Sequence, residues 1–227
     1  MDKLTAIIVA GGVGKRMGRS VPKQFLLLGD RPILMHTIEK FAMAYDHIDL
    51  DIIVVMHPDY HDYWKDLIHH YNFNIPHTLA DGGKERFFSV RNGLKRASQH
   101  GLIAVHDGVR PLISTDFLQK IYEEAIEYGN AVPYIRPKNS VRIEENGHNH
   151  AIDRNTVRLI QTPQLFPAAE LKQAYKQEYK SHFTDDATVY ESLGQTIHLI
   201  EGEEQNIKIT TETDLYLAEI ILSKAGQ

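Results

Sequence analysis

Short apolar runs alternate with longer amphipathic segments along most of this chain. Runs of consecutive apolar or β-branched residues are typical of buried strands in a parallel sheet, and apolar positions at helical spacing indicate helices packed against it. The predicted strands are 4–10, 51–56, 77–80, 102–106, 157–161 and 197–201, and the predicted helices are 32–45, 60–71, 86–97, 114–128, 168–179, 185–193 and 213–223. The alternation predicts an α/β fold, a Rossmann-like three-layer sandwich around a mostly parallel twisted sheet.

The alternation of strands and helices breaks near Pro137. The segment 140–153 is polar, and its centre is Asn146-Gly147, the preferred turn of a two-residue hairpin. We therefore predict a projecting β-arm at about 137–156, inserted into a single domain that spans 1–227. Because such arms often cross to a partner subunit, we expect a homodimer formed through the arm.

The composition excludes several classes of protein. The chain of 227 residues has 42% hydrophobic residues, enough for a full core, and its formal net charge of −5 argues against a nucleic-acid binder. The absence of cysteine excludes disulfides, thiolate catalysis and cysteine-ligated zinc, and it fits a reducing compartment. With no signal peptide before the first strand and no apolar run of membrane-spanning length, we expect a cytoplasmic protein that contacts no membrane.

Glycines and cations crowd the loop after the first strand. The sequence there is Gly11-Gly-Val-Gly-Lys-Arg-Met17, followed by Pro22-Lys-Gln24. Glycines let the backbone approach a ligand closely, and phosphate is the usual ligand of such a loop. The loop is not a P-loop, because Arg16 stands where serine or threonine is needed, and Met17 replaces the third glycine of the dinucleotide fingerprint. The loop therefore favours an enzyme that handles a nucleoside triphosphate.

Further motifs make the resemblance specific. The loop resembles the signature of nucleotidyltransferases that join a nucleoside monophosphate to a sugar phosphate. The blocks that follow are His106-Asp-Gly-Val-Arg-Pro111, Asp153-Arg154, Gln161-Thr-Pro-Gln164 and Asn206-Ile-Lys-Ile-Thr210. In order and spacing they cover nearly the whole chain and resemble the family of 2-C-methyl-D-erythritol 4-phosphate cytidylyltransferases.

The resemblance implies that a phosphate oxygen attacks the α-phosphorus of CTP and that pyrophosphate leaves. Both partners are anionic, so catalysis should rest on alignment and charge neutralisation. By resemblance Arg16 and Lys23 stabilise the transition state, Arg154 and Lys208 complete the catalytic cations, and Asp107 holds Mg²⁺. The implied nucleotide site is Ala10, Gly11, Gly12, Gly14, Gly82, Gly83 and Ser89. The implied sugar-phosphate site is Ser140, Arg154, Thr184 and Lys208.

Several of these residues also admit a structural interpretation. Asp107 could form an ion pair with Arg110, which we expect to be structural, and Thr184 fits a helix N-cap as well as a substrate contact. Arg86 could be an ion-pair partner, and Asp185-Asp186 is expected to complement the dipole of the helix that it opens. Lys84 stands where the family pattern has an acidic residue, which leaves only backbone contacts to be expected at that position.

Alternative functions remain open. A ribitol 5-phosphate cytidylyltransferase of cell-wall polymer synthesis would share the glycine loop, the His-Asp block and the Thr-Pro-Gln block, although the compact chain and short arm favour methylerythritol phosphate. A non-catalytic nucleotide sensor is a different class, and the retention of residues for both substrates argues against it. An enzyme that uses UTP or GTP is a third, because the preference for cytosine comes only from the resemblance.

Overall fold

The computed structural model describes residues 3–12 and 21–225, and predictions for Gly14 and Arg16 fall outside these ranges. Its strands are β1 (Lys3–Val9), β2 (Leu27–Leu28), β3 (Arg31–Pro32), β4 (Asp49–Met56), β5 (Thr78–Asp81), β6 (Leu102–Asp107), β7 (Val132–Ile135), β8 (Val141–Glu145), β9 (His148–Ile152), β10 (Leu159–Ile160), β11 (Gln164–Pro167) and β12 (Leu199–Glu201). Its α-helices are α1 (Ile33–Ala44), α2 (His61–His70), α3 (Arg86–Leu94), α4 (Thr115–Tyr128), α5 (Ala168–Ala174), α6 (Asp186–Glu191) and α7 (Glu212–Ala225).

The central sheet has the strand order β11-β6-β1-β4-β5. Strands β6, β1, β4 and β5 are parallel, and β11 pairs antiparallel with β6 at the edge. The four parallel strands are the apolar runs that the sequence predicts, so the α/β fold with a mostly parallel sheet is confirmed. Their carboxyl ends meet along one edge of the sheet, where ligands bind in open α/β folds.

Helices cover both faces of the sheet. Ala6 and Ile8 of β1 pack in a buried cluster with residues of α1 and α4, whereas Ile7 packs in a second cluster with residues of α3 and α5. This alternation is what a strand buried on both faces requires, because successive side chains point to opposite sides. The layers are therefore helix, sheet and helix, as predicted.

The longest internal helix, α4, is also confirmed, together with both of its ends. The Ser114 hydroxyl accepts a hydrogen bond from the Phe117 N–H and caps the first turn. Gly129 has φ 84°, the left-handed conformation in which glycine commonly ends a helix.

Boundaries in the second half of the chain differ from the prediction. The predicted strand 157–161 is reduced to β10, the helix 168–179 ends at Ala174, and 185–193 is the shorter α6. Two strands of this half, β7 and β11, were not predicted. Each spans four residues and contains a proline, so neither has the run of apolar residues that predicts a buried strand.

The predicted arm is present as a hairpin. Strands β8 and β9 pair antiparallel with each other in a two-stranded sheet of their own. Asn146 and Gly147 form the turn with φ 51° and 78°, as a two-residue hairpin loop requires. Nearly all residues of both strands are exposed. Among the described residues, no helix is long and apolar enough to span a bilayer.

Candidate active site

A cleft of about 290 Å³ opens where β6 ends. It gathers side chains from five separate stretches of the chain. The residues that line it are Arg86, Asp107, Arg110, Ile160, Gln161, Thr162, Gln164, Thr184, Asp185 and Lys208. Three sequence-predicted site residues therefore lie together: Asp107, Thr184 and Lys208.

The Asp107 carboxylate is the centre of a charge cluster. Its Oδ2 lies 3.0 Å from Lys208 Nζ and 3.3 Å from Arg110 Nε, and its Oδ1 lies 3.7 Å from Arg86 Nε. The carboxylate is nearly buried, whereas the Lys208 side chain is 40% exposed. Lys208 is thus the cation of this cluster that can turn toward a ligand in the cleft. The ion pair between Asp107 and Arg110, which is the structural interpretation of Asp107, is present.

These charges decide the ionisation of Asp107. Burial alone would raise the pKa of the Asp107 carboxyl, but Arg86, Lys208 and Arg110 outweigh burial and hold the pKa below its usual range. Asp107 is therefore a carboxylate at neutral pH. A carboxylate in this setting can hold a cation or orient Lys208, but it cannot donate a proton.

Neighbouring residues of the His-Asp and Thr-Pro-Gln blocks fix Asp107 in place. The Asp107 N–H donates to Thr162 Oγ1 at 3.0 Å, and that hydroxyl lies 3.2 Å from His106 Nδ1. His106 Nε2 lies 3.1 Å from the Arg110 carbonyl oxygen. Burial lowers the pKa of His106 to about 4, and a neutral ring protonated on Nε2 satisfies both contacts. Two motifs far apart in the sequence are thus joined by one buried network.

Residues of the Asn-Ile-Lys-Ile-Thr block bring Lys208 to the cluster. Arg110 Nη1 donates to the Asn206 carbonyl oxygen at 2.6 Å, and Asn206 Nδ2 donates to the Thr162 carbonyl oxygen at 2.9 Å. One residue beyond Lys208, the Ile209 N–H donates to the Val109 carbonyl oxygen at 2.9 Å. These bonds hold the backbone on both sides of Lys208. Arg110 therefore has the structural role that we expected.

The predicted nucleotide residues that the structure describes meet at the ends of β1, β4 and β5. The Gly82 N–H donates to the Met56 carbonyl oxygen at 2.7 Å, and the Gly83 N–H donates to Ser89 Oγ at 2.9 Å. A Cβ atom on Gly83 would lie 2.3 Å from Phe88 Cβ, and one on Gly11 would lie 3.3 Å from Ser89 Oγ. Only glycine permits this close approach at Gly83. The two glycine segments and Ser89 therefore form one surface, although the sequence separates them by about seventy residues.

Ala10 is held by the Pro-Lys-Gln block. Its N–H donates to the Val55 carbonyl oxygen at 2.7 Å, and its own carbonyl oxygen accepts from Gln24 Nε2 at 2.7 Å. The Gln24 side chain is buried, and Lys23 begins the short 3-10 helix that contains it. The block thus ties Lys23 to the end of β1, which is where the resemblance needs a cation.

The remaining residues that were predicted to bind the sugar phosphate lie on the arm. Ser140 and Arg154 are exposed at its base, and Arg154 Nη1 donates to the Lys138 carbonyl oxygen at 2.7 Å. Neither belongs to the described residues that line the cleft. This single chain therefore brings Thr184 and Lys208 to the cleft and leaves Ser140 and Arg154 outside it.

Residues at the start of α6 correct two expectations. Thr184 is not the N-cap, because the Asp185 carboxylate accepts from the Thr188 N–H and caps the helix. Asp186 does more than complement the helix dipole, because it forms a buried ion pair with Arg86. We expected Arg86 to form an ion pair. The sequence does not indicate its partner, because Asp186 lies one hundred residues away.

Asp107 is the carboxylate that the resemblance assigns to Mg²⁺. Within 3–12 and 21–225, no group of three or more histidine, aspartate or glutamate side chains could hold a metal ion. Magnesium is commonly bound by one or two carboxylates together with substrate phosphates. The donor set therefore fits an ion that arrives with a triphosphate, and it does not fit a metal held by protein ligands alone.

Comparison with known proteins agrees with the motifs. The family model described as 2-C-methyl-D-erythritol 4-phosphate cytidylyltransferase matches residues 4–224. The chain is 44% identical over 220 residues to the protein of that name from Bacteroides thetaiotaomicron, covering 97% of this chain and 100% of the relative. It is also 44% identical over 223 residues to the protein of that name from Porphyromonas gingivalis, covering 98% and 99%.

Solved structures give the same result for the fold. The 4-diphosphocytidyl-2C-methyl-D-erythritol synthase from Anaerococcus prevotii superposes with a TM-score of 0.82 at 28% identity, covering 97% of this chain and 98% of that one. The 2-C-methyl-D-erythritol 4-phosphate cytidylyltransferase from Thermus thermophilus superposes with a TM-score of 0.74 at 29% identity, covering 98% and 100%. The model match and the identity over nearly the whole length place this chain in the 2-C-methyl-D-erythritol 4-phosphate cytidylyltransferase family.

Proposed function

We propose that this chain transfers CMP from CTP to 2-C-methyl-D-erythritol 4-phosphate, in the non-mevalonate route of isoprenoid biosynthesis. An oxygen of the sugar phosphate attacks the α-phosphorus of CTP and forms the new diphosphate bond. The bond between the α- and β-phosphates breaks, and its electron pair leaves on pyrophosphate. The product is 4-diphosphocytidyl-2-C-methyl-D-erythritol.

One observation carries the mechanism: Asp107 and Lys208 meet at the carboxyl end of β6, 3.0 Å apart, in a cleft that also contains Thr184. Two polyanions repel each other, so the reaction needs fixed positive charge between them. Lys208 supplies that charge beside the acceptor phosphate, and Arg16 and Lys23 supply it beside the triphosphate. Mg²⁺, held by Asp107 and phosphate oxygens, would neutralise further negative charge when bound.

The glycine surface is suited to the nucleoside. Gly82 and Gly83 use their N–H groups within the protein, so they contribute shape and carbonyl oxygens at the base, with Ser89 fixed beside them. Their backbone can recognise the edge of a base without any contact from Lys84. We therefore assign Gly11, Gly12, Gly14, Gly82, Gly83 and Ser89 to the nucleotide, with Ala10 as a buried support.

Ser140 and Arg154 serve the cleft of a second subunit in this proposal. A two-stranded hairpin is marginally stable alone in water, and β8 and β9 pair only with each other among the described strands. A partner that covers the arm would stabilise it and would bring Arg154 to a sugar phosphate. A homodimer formed through the arm thus explains both the exposed hairpin and the absence of Arg154 from the cleft of its own chain. A cytoplasmic location stays a prediction.

A purified-enzyme assay tests the reaction. The enzyme, CTP and Mg²⁺ are offered methylerythritol phosphate or ribitol 5-phosphate separately, and pyrophosphate release is measured. We expect turnover with methylerythritol phosphate, the acceptor in the names of the relatives. Turnover of ribitol 5-phosphate alone would show that it is the acceptor instead. No release of pyrophosphate with either acceptor would favour a nucleotide sensor. UTP and GTP in place of CTP test the base preference in the same assay.

A further inference from the structure

Arg86 lies between two carboxylates that differ in burial. Its Nη1 and Nη2 donate to Oδ1 and Oδ2 of Asp186 at 2.9 and 2.6 Å, whereas its Nε is 3.7 Å from Asp107 Oδ1. A two-pronged contact at these distances is the strong geometry for a guanidinium and a carboxylate, and a single contact at 3.7 Å is weak. The two terminal nitrogens of Arg86, which we call its fork, therefore bind Asp186. Only the Nε of Arg86 approaches Asp107.

Asp186 is held so that it can keep this fork. Its side chain has no exposed surface, and its Oδ1 also accepts a hydrogen bond from the Tyr175 hydroxyl at 2.5 Å. Burial alone would lower the pKa of Arg86, but the charge and hydrogen bonds of Asp186 outweigh burial and raise it. Tyr175 is itself buried. Asp186 is not among the residues that line the cleft. It holds Arg86 from behind the cleft in a fixed position.

We propose that Asp186 is a positioning residue for the reaction: it holds the Arg86 fork off Asp107 and leaves that carboxylate available to the cleft. Without the Asp186 charge, the nearest buried carboxylate for Arg86 is Asp107. The guanidinium would then turn its fork to Asp107 and compete with Lys208 and with a cation brought by the triphosphate. The inference rests on the proposed function, because it gives Asp107 a part in the reaction.

The test removes the charge of Asp186 and keeps its shape. In Asp186→Asn we expect the Mg²⁺ concentration for half-maximal turnover to rise by about 10-fold, the usual effect of losing a partner behind a metal-binding carboxylate. Calorimetry of CTP binding with Mg²⁺, without acceptor, should show a similar loss of affinity. An unchanged Mg²⁺ requirement with a lowered Tm would mean a purely structural role and would overturn the proposal.

A double variant separates positioning from stability. Arg86→Gln combined with Asp186→Asn removes the released guanidinium, so we expect the Mg²⁺ requirement to fall back toward the wild-type value, although the two positions contact each other. An equal defect in the single and double variants would contradict the proposal. Tyr190→Phe is the matched control: Tyr190 lies on α6 one turn after Asp186, and its hydroxyl bonds Glu170, which forms no hydrogen bond with Arg86 or Asp186, so Tm should fall without any change in the Mg²⁺ requirement.

Tyr175→Phe keeps the proposal testable if Asp186→Asn does not fold. It removes the hydrogen bond that the Tyr175 hydroxyl donates to the Asp186 carboxylate and leaves that carboxylate paired with Arg86, so a loss of about 2- to 5-fold in CTP affinity with Mg²⁺ is expected, and no loss would overturn the proposal. Binding of CTP and turnover are scored separately. If wild-type protein binds CTP but transfers nothing, the proposed function fails while the role of Asp186 in binding can still be judged.

Discussion

The cleft and the arm are built in opposite ways. At the cleft, Asp107, His106 and Thr162 form a buried hydrogen-bonded network, and Asn206 joins it from the other side. On the arm, Ser140 and Arg154 are exposed, and the hairpin that carries them pairs only with itself in the described structure. The cleft residues of the proposed active site are thus held in place within one chain. The arm residues have no such support from their own chain among the described residues. In the proposed function, the Asp107 cluster that meets the triphosphate is therefore built within one chain, whereas binding of the acceptor also requires the arm of a second chain.

The largest expected effect lies at the loop that follows β1. Arg16→Ala or Lys23→Ala should lower kcat by about 100- to 1,000-fold, because in the proposed mechanism each supplies positive charge to the reacting phosphates. Steady-state rates with saturating CTP measure the loss, and thermal unfolding should be nearly unchanged. Lys95 is an exposed residue directly after α3. Lys95→Ala is the control and should keep full activity. Near-normal kcat in either loop variant would remove that residue from the mechanism.

Mixing two variants, each defective at low sugar-phosphate concentration, sharpens the comparison of cleft and arm. Arg154→Ala and Lys208→Ala should each raise the KM for the sugar phosphate, because each removes a cation from one phosphomonoester. If the arm serves the partner, a mixed dimer has one intact cleft, and random re-assembly should restore about one quarter of wild-type activity. Activity is measured after co-refolding or co-expression. A mixture no more active than its parents would mean that the arm acts on its own chain or not at all.

The buried histidine gives a pH test of the cleft alone. The pKa of His106 is lowered to about 4 in the folded protein, so the unfolded chain binds a proton first as the pH falls below 6.5, the ordinary value. Stability is therefore full above pH 6.5 and is lost as the pH falls toward 4, by about 2 kcal/mol at pH 5 from this residue. Denaturant unfolding at pH 7 and pH 5 measures the loss.

His106→Gln should flatten this pH dependence, at the cost of lower stability at pH 7. His69→Gln, an exposed position on α2, is the matched control and should leave the pH dependence as it is in the wild type. Equal slopes in all three proteins would contradict a neutral buried His106.

The smallest effect is expected at the turn of the arm. Gly147 has φ 78°, so Gly147→Ala should strain the hairpin by about 1 kcal/mol. Because the hairpin is exposed, the Tm of the main fold should change little, and the loss should appear as weaker dimer formation in dilution experiments. His148→Ala, which leaves the turn intact, should not weaken association. A large fall in Tm without a change in association would show that the arm stabilises its own chain instead.

Sequence patterns predicted the parts of the fold that repeat a simple rule. The strands β1, β4 and β6 each contain an apolar stretch buried on both faces, and α4 carries both a Ser114 cap and a Gly129 stop. Strand β11 was missed because Gln164 and Pro167 leave only two apolar residues between them, and its partner β6 lies sixty residues away. Pairing across such a distance depends on tertiary context that local patterns do not contain.

In the candidate site, too, the residues of sequence motifs were predicted and the contacts that depend on tertiary structure were not. The motif blocks predicted Asp107 and Lys208, and the structure brings them together. The contact of Arg86 with Asp186 was not predicted, because neither residue has a spacing or a neighbour that marks it. Thr184 was read as a possible helix cap because a threonine before two acidic residues fits that pattern, but the next residue, Asp185, makes the hydrogen bond instead. Motifs identify the residues that face substrate, and they do not identify those that support them.

The pairing at the root of the arm has an evolutionary consequence. Tyr134 and Ile135 of β7 lie opposite Ile160 and Leu159 of β10, so the chain leaves and re-enters the body through one closed pair of strands. A hairpin of another length or composition could be exchanged above that pair without moving Asp107 or the glycine surface. The hairpin can therefore vary as an insertion while the carboxyl edge of the central sheet keeps its shape.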